Sequence, residues 1–359
     1  MLKKFELYLA RLFLKKLLIV SSVFFSLAII LNILEEINFF KNLDINFYTP
    51  FVMSLLNTPS VLFEIFPFIF LISTQFFFLN IIDGGELETL KINGISNIKI
   101  IKILLISSFM VGVILITFFY HFSSKLKFLH IEFKNSYSSD NKYLAAVNDN
   151  GIWIKDEIKG KIYIINAFTI DDIYLMNVII SEFDNNFDLL QIIKSPRVNI
   201  SNKKWVIIDP TISKDNKTKK APKNINIITH FDLEKINSMF SNLSSQSLVQ
   251  LLRLHNEYKQ LNYSSLEIEL HLLKLFSYPF YLSIMTVFAA VIMLNVKRNK
   301  TIIFHMITGI FLSVIIYFFY DLFNLLGENN KIPIMASVWF PLFILMIFIS
   351  IGLVRINEK

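Results

Sequence analysis

The 359-residue chain has no cysteine at all. Disulfides, thiolate-ligated metals and thiol nucleophiles are therefore excluded, and any part of the chain that meets an oxidising compartment must be held by burial alone. Three catalytic signatures are also missing: a Gly-rich phosphate loop ending in Gly-Lys-Ser/Thr, an HExxH helix and a GxSxG elbow. A chain of this kind that moves something uphill needs its energy from a separate chain, and no cofactor is expected. Charge is scarce, at 18% of residues, and the net +7 forms no basic stripe interleaved with aromatics. Its Lys and Arg residues sit at the ends of apolar runs and in the middle of the chain, so a nucleic-acid partner is excluded.

Apolar residues are abundant instead. They make up 54% of the chain, with 37 phenylalanines and a mean hydropathy of +0.55. Six apolar segments lie near residues 13–34, 51–81, 100–122, 270–295, 302–325 and 333–354. Each reaches the roughly 20 residues that a helix needs to cross a hydrocarbon core of about 30 Å. The second is overlong and interrupted by Thr58, Pro59, Ser60, Glu64 and Pro67, which predicts an interfacial start or a proline kink. The basic start, Met1 to Lys16, runs into an apolar segment without a small-residue cleavage site and reads as a retained first span.

The spans fall three and three around a polar stretch of about 140 residues, far too long for an interhelical loop. The organisation expected is therefore transmembrane helices 1–3 over residues 1–122, a water-soluble domain over 123–268, and transmembrane helices 4–6 over 269–359. Orientation follows from the basic connections. Lys3, Lys4, Arg11, Lys15 and Lys16 precede span one, Lys91, Lys99 and Lys102 separate spans two and three, Lys297, Arg298 and Lys300 separate spans four and five, and Arg355 and Lys359 end the chain. Both termini are expected to be cytoplasmic and the middle domain to face outward.

That domain reads mostly as strand. From Gly151, GIWIKDEIKGKIYIINAFTI alternates apolar and polar residues around Lys159-Gly160, and YLMNVIISEFD, LLQIIKSPRVNI and KKWVIIDPTI continue at turn spacings of a sandwich or jellyroll. SKDNKTKKAPKN, from Ser213, reads as a hairpin or loop, and SLVQLLRLHNEYKQLNYSS, from Ser247, as a helix leading into span four.

The most specific local pattern is IIDGGELETLKINGISNIKI between spans two and three. Asp83 and Glu86 are spaced as an N-cap and capping box, Gly94 is a helix stop, and Leu87, Leu90 and Ile95 form an apolar edge beside Glu88 and Lys91. Such a helix either inserts into a partner's groove or lies on lipid headgroups. Ionisable groups in the spans are the other candidates. Glu64 lies within span two, His121 at the end of span three, and His305 and Asp321 in span five; no second carboxylate or histidine sits one turn from Glu64. A membrane enzyme acting on lipid or cell-envelope precursors, or a ligand-binding envelope sensor, is the alternative reading.

Layout and loop together resemble the LptF/LptG permease family of the lipopolysaccharide export ABC transporter. The segment Glu86-Leu87-Glu88-Thr89-Leu90-Lys91-Ile92-Asn93-Gly94-Ile95-Ser96 is similar to the family's coupling helix and Gly-Ile-Ser turn. Gly151-Ile152-Trp153-Ile154 and Trp205-Val206-Ile207-Ile208-Asp209 resemble its strand signatures. The run from Gly309 through Tyr317-Phe318, Asp321, Leu326-Gly327-Glu328, Ile332-Pro333, Ala336, Trp339 and Pro341 looks more like the G than the F subunit. The resemblance implies six membrane helices with an inserted extracytoplasmic β-jellyroll, in the bacterial inner membrane. It implies a non-enzymatic permease that passes lipopolysaccharide or a related glycolipid to a periplasmic jellyroll bridge toward the outer membrane. Implied partners are a homologous LptF-type subunit, a dimeric LptB-type ATPase and LptC/LptA-type jellyroll proteins. Glu86, Leu87, Leu90 and Gly94 match the ATPase-coupling positions. G-type subunits tend to place basic residues at the outer end of span one, where this chain has Glu35 and Glu36; Lys41, Lys125 and Lys127 are then the expected lipid-phosphate contacts.

Overall fold

The computed structural model describes residues 4–41, 45–137, 152–158, 160–171, 173–214, 217–220, 224–233, 236, 242–260, 265–295 and 302–357. The basic run Lys297 to Lys300, Lys3, Lys159 and Lys359 lie outside them.

Six helices are long and apolar enough to cross a membrane. They are α1 (Lys4–Phe40), α2 (Thr49–Asp83), a continuous helix made of α4 (Asn97–Ile114), a π-helical turn (Leu115–Phe119) and α5 (Tyr120–Ser136), then α7 (Leu266–Leu294), α8 (Ile302–Glu328) and α9 (Ile334–Asn357). The short α3 (Glu86–Ile92) joins α2 to α4, and α6 (Leu248–Gln260) precedes α7. The helices outrun the apolar segments because polar residues continue the helical pattern past the lipid-matched part.

Chain contacts divide the molecule into two units. One comprises Met1–Lys127, Ser247–His255 and Ser264–Lys359; the other comprises Phe128–Gln246 and Asn256–Tyr263.

In the helical unit α2 and α7 are central, with 67% and 78% of their apolar windows buried, against 22% for α1 and 17% for α8. Leu18, Leu31, Phe311 and Phe318 are among the large apolar residues left exposed on those two outer helices, as a surface that meets lipid or another membrane chain requires. Neither proline of α2 breaks it. Pro67 cannot donate to the carbonyl of Phe63, and the Tyr278 hydroxyl of α7 donates to that oxygen instead. Small residues bring α4 against α7: Ser108 Oγ lies 3.4 Å from Ser283 Oγ, and a Cβ added at Gly112 would stand 2.8 Å from Pro279 Cα.

The second unit is a curled, jellyroll-like antiparallel sheet, of nine strands among the described residues. Its main path runs β1 (Ile152–Ile158), β2 (Lys161–Ala167), β4 (Tyr174–Phe183), β5 (Leu189–Asn199), β6 (Lys204–Ile208) and β9 (Ile225–Ile228). β3 (Thr169–Asp171) pairs with β4, and the hairpin of β7 (Thr211–Lys214) and β8 (Lys217–Lys220) pairs with β5. Register lines up the core. Ile154, Ile165, Ile180, Ile193 and Ile212 stand opposite one another across five strands. Two residues along, Asp156, Tyr163, Glu182 and Gln191 form a parallel polar row. Trp205 closes the core, fully buried, with its indole N–H donating to the Phe231 carbonyl at 2.9 Å.

Candidate functional site

The connection between α2 and α4 is built almost wholly by local backbone chemistry. Asp83 still belongs to α2, so the expected capping box does not form; Gly85, in the left-handed region at φ 68°, is the N-cap of α3, and no side chain caps it. Glu86 is instead held from outside its helix. The Tyr8 hydroxyl of α1 lies 3.1 and 2.9 Å from its two carboxylate oxygens. At the other end Gly94, at φ 77°, stops the helix: its N–H donates to Lys91 O at 2.9 Å, and the Ile95 N–H reaches back to Leu90 O at 3.0 Å. That pair of bonds is a Schellman motif, which a residue with a Cβ closes only under strain. Ser96 then caps α4 by accepting from the Lys99 N–H at 3.3 Å. The Gly94-Ile95-Ser96 triplet is thus one stop and one start with no slack between them.

The faces of α3 are divided differently from the sequence expectation. Leu87, Leu90 and Ile95 pack against the core of the chain's own helical unit. The outward surface is Glu88, Thr89, Lys91, Ile92 and Asn93, with Ile92 86% exposed. Glu88 and Ile92 are four residues apart, as are Thr89 and Asn93, so they form two adjacent ridges. Ile92 is thus the large apolar side chain on the outward surface of α3, beside a carboxylate, a hydroxyl and an amide. Reading α3 as an isolated amphipathic helix pointed to the leucines; only the packing of the chain singles out Ile92.

The lysines expected to hold lipid phosphate do not behave alike. Lys41, at the end of α1, and Lys125 are exposed. Lys127, two positions further along the same helix and therefore about 200° around it, is turned inward. Its ammonium donates to Asn57 Oδ1 at 2.6 Å, Asn57 Nδ2 lies 3.4 Å from Asn32 Oδ1, and Asn32 Nδ2 donates to Thr58 Oγ1 at 3.1 Å. Asn32, Asn57 and Thr58 are all buried, so this chain ties α1 to α2 where apolar packing alone does not set register. Of the two acidic residues near the end of α1, Glu35 is exposed and Glu36 fully buried.

Glu64 is exposed on α2. Lys127 and Lys274 act on it through space only, and the ion pair of Lys274 is with Glu328, at 3.1 Å. His121 and Asp321 are exposed.

The chain matches the family model described as lipopolysaccharide export system permease LptF/LptG over residues 7–355. A search among curated proteins found no match.

Proposed function

Because the chain belongs to the LptF/LptG family of lipopolysaccharide export permeases, we propose that it is the G-type transmembrane subunit of an ABC exporter. In this reading it pairs with a homologous F-type subunit. A dimeric LptB-type ATPase docks on α3, and hydrolysis closes the membrane cavity. Lipopolysaccharide or a related glycolipid is extracted from the bacterial inner membrane and passes to periplasmic LptC/LptA-type jellyroll proteins. Both termini lie in the cytoplasm, and the β-domain lies in the periplasm. The domain boundaries near residues 122 and 268 then separate the membrane part from the periplasmic part.

The observation that carries this reading is the connection at Glu86–Ser96. Its turn chemistry locks α3 to the start of α4, while Ile92, Glu88, Thr89 and Asn93 face away from the chain. A push on α3 is therefore passed to α4 without a flexible joint, which is what coupling to an external motor needs. Basic residues on this side, Lys91, Lys99 and Lys102, support a cytoplasmic location.

Purification in mild detergent from the cells that natively produce the chain tests it. An ABC ATPase should co-purify with the chain, and its hydrolysis should respond to lipopolysaccharide. A chain that purifies without an ATPase, yet turns over a lipid substrate by itself, overturns the reading.

A further inference from the structure

The N-terminal parts of α1 and α4 run side by side and enclose a cavity of about 580 Å³. Its lining is sharply divided. Glu6, Lys99 and Lys102 stand where the two helices begin, and beyond them the wall is apolar apart from Ser107, ending at Leu14 on α1 and Ile114 on α4. From Lys102 to Ile114 the helix rises roughly 18 Å, close to the roughly 15 Å of one hydrocarbon leaflet. We propose that this groove is a binding site for one glycerophospholipid with an anionic headgroup, seated in the leaflet that borders the α3 connection.

Charge selects the headgroup. Two lysines outweigh the one carboxylate, and the amide end of α4 adds partial positive charge in the same place. Lys99 is positioned by its own packing, with its ammonium 4.8 Å from the centre of the Phe5 ring of α1. Size and length admit a lipid tail. A cavity of about 580 Å³ falls within the range of small-molecule pockets. Position gives the lipid leverage: α1 carries Tyr8, which holds Glu86, and α4 begins just after its cap Ser96, so an occupant of the groove braces both anchors of α3.

The test needs neither transport nor a partner, so its outcome is separate from that of the export reading. The full-length chain is purified, exchanged into detergent with equal amounts of phosphatidylglycerol and phosphatidylcholine, and its retained lipids are counted by native mass spectrometry. One phosphatidylglycerol should be retained in preference. The double variant Lys99→Gln, Lys102→Gln should lower that preference by about tenfold, the effect expected of two lysines near an anionic headgroup. Ile106→Trp, which fills the groove without changing charge, should lower retention of either lipid. It also decides the matter if the double variant does not fold. Equal retention of the two lipids by the unaltered chain overturns the proposal. So does indifference to the substitutions, or recovery of lipopolysaccharide or a polypeptide in the groove.

Discussion

Asp156 and His230 close the sheet on itself. Asp156 lies in the edge strand β1, and His230 lies two residues beyond the opposite edge strand, β9. The His230 N–H donates to Asp156 Oδ2 at 3.0 Å, and its ring Nδ1 lies 2.7 Å from Oδ1. The aspartate side chain is fully buried while the histidine is 59% exposed, so a core carboxylate is satisfied from the rim. Removing the ring while keeping the backbone bond leaves one buried oxygen unpaired, at a cost of about 1–3 kcal/mol.

His230→Ala should therefore loosen the seam and little else. In the full-length chain, hydrogen exchange at the amides of β1 and β9 should accelerate, with β4 and β5 unchanged. Uniform acceleration over the whole sheet, or none, contradicts the clasp.

The seam was invisible in the sequence because its two residues are 74 positions apart, and neither has a marked local context. What could be read locally was read well. The six apolar runs are all helices, since a helix satisfies its backbone groups within its own segment, and Ile152-Trp153-Ile154 and Trp205-Val206-Ile207-Ile208 are both strands. Gly94 stops α3 as its position predicts. The misses are all tertiary. Asp83 looked like a cap, but α2 extends through it. Ile162 and Ile165 break the alternation of β2 because both faces of that strand carry a buried isoleucine, at 6% and 3% exposure. That Leu90 packs against the chain's own helical core could not be read from its spacing.

Glu182 should make the sheet acid-sensitive. Burial pushes its carboxyl toward the protonated form, but the hydrogen bonds from Lys161, at 2.6 Å, and from Gln191 outweigh that and hold its pKa below the usual value. A folded-state value below the unfolded one means that stability is present at neutral pH and lost as pH falls through the range below about 4.5. Unfolding of the β-domain followed from pH 7 down to 3 should steepen in that range, and Glu182→Gln should flatten the dependence. An unchanged profile in the variant removes Glu182 as the cause.

Ile92 and Leu90 should fail in different ways. Ile92→Asp places a charge on the outward surface of α3, so ATPase association should weaken by at least about tenfold, as at an interface hot spot, with folding intact. Leu90→Arg forces a guanidinium against the helical core and should lower expression and thermal stability first. If Ile92→Asp binds the ATPase normally, the outward surface is not the docking face.

Tyr8 and Glu86 should act as one unit. Tyr8→Phe and Glu86→Ala each remove the same pair of contacts, so the double variant should be no worse than either single one in coupled ATP hydrolysis. Strictly additive losses mean that Glu86 works through a contact other than Tyr8.

The two lysines beyond the middle of the third span should separate headgroup recognition from architecture. Lys125 is exposed, as is Lys41, and a lysine held in water contributes a modest, salt-screened attraction to phosphate. Lys127 is bonded to Asn57 and through it to the buried Asn32–Thr58 pair that joins α1 to α2. Replacing Lys41 and Lys125 together should therefore reduce co-purification of a phosphorylated lipid more than that of its dephosphorylated analogue, most clearly at low salt. Lys127→Met should instead lower thermal stability and reduce loading of both lipids equally, because it leaves Asn57 without its cation and frees α1 to shift along α2. A phosphate-selective loss from Lys127→Met alone, at unchanged stability, reverses the assignment and makes Lys127 the residue that reads the headgroup.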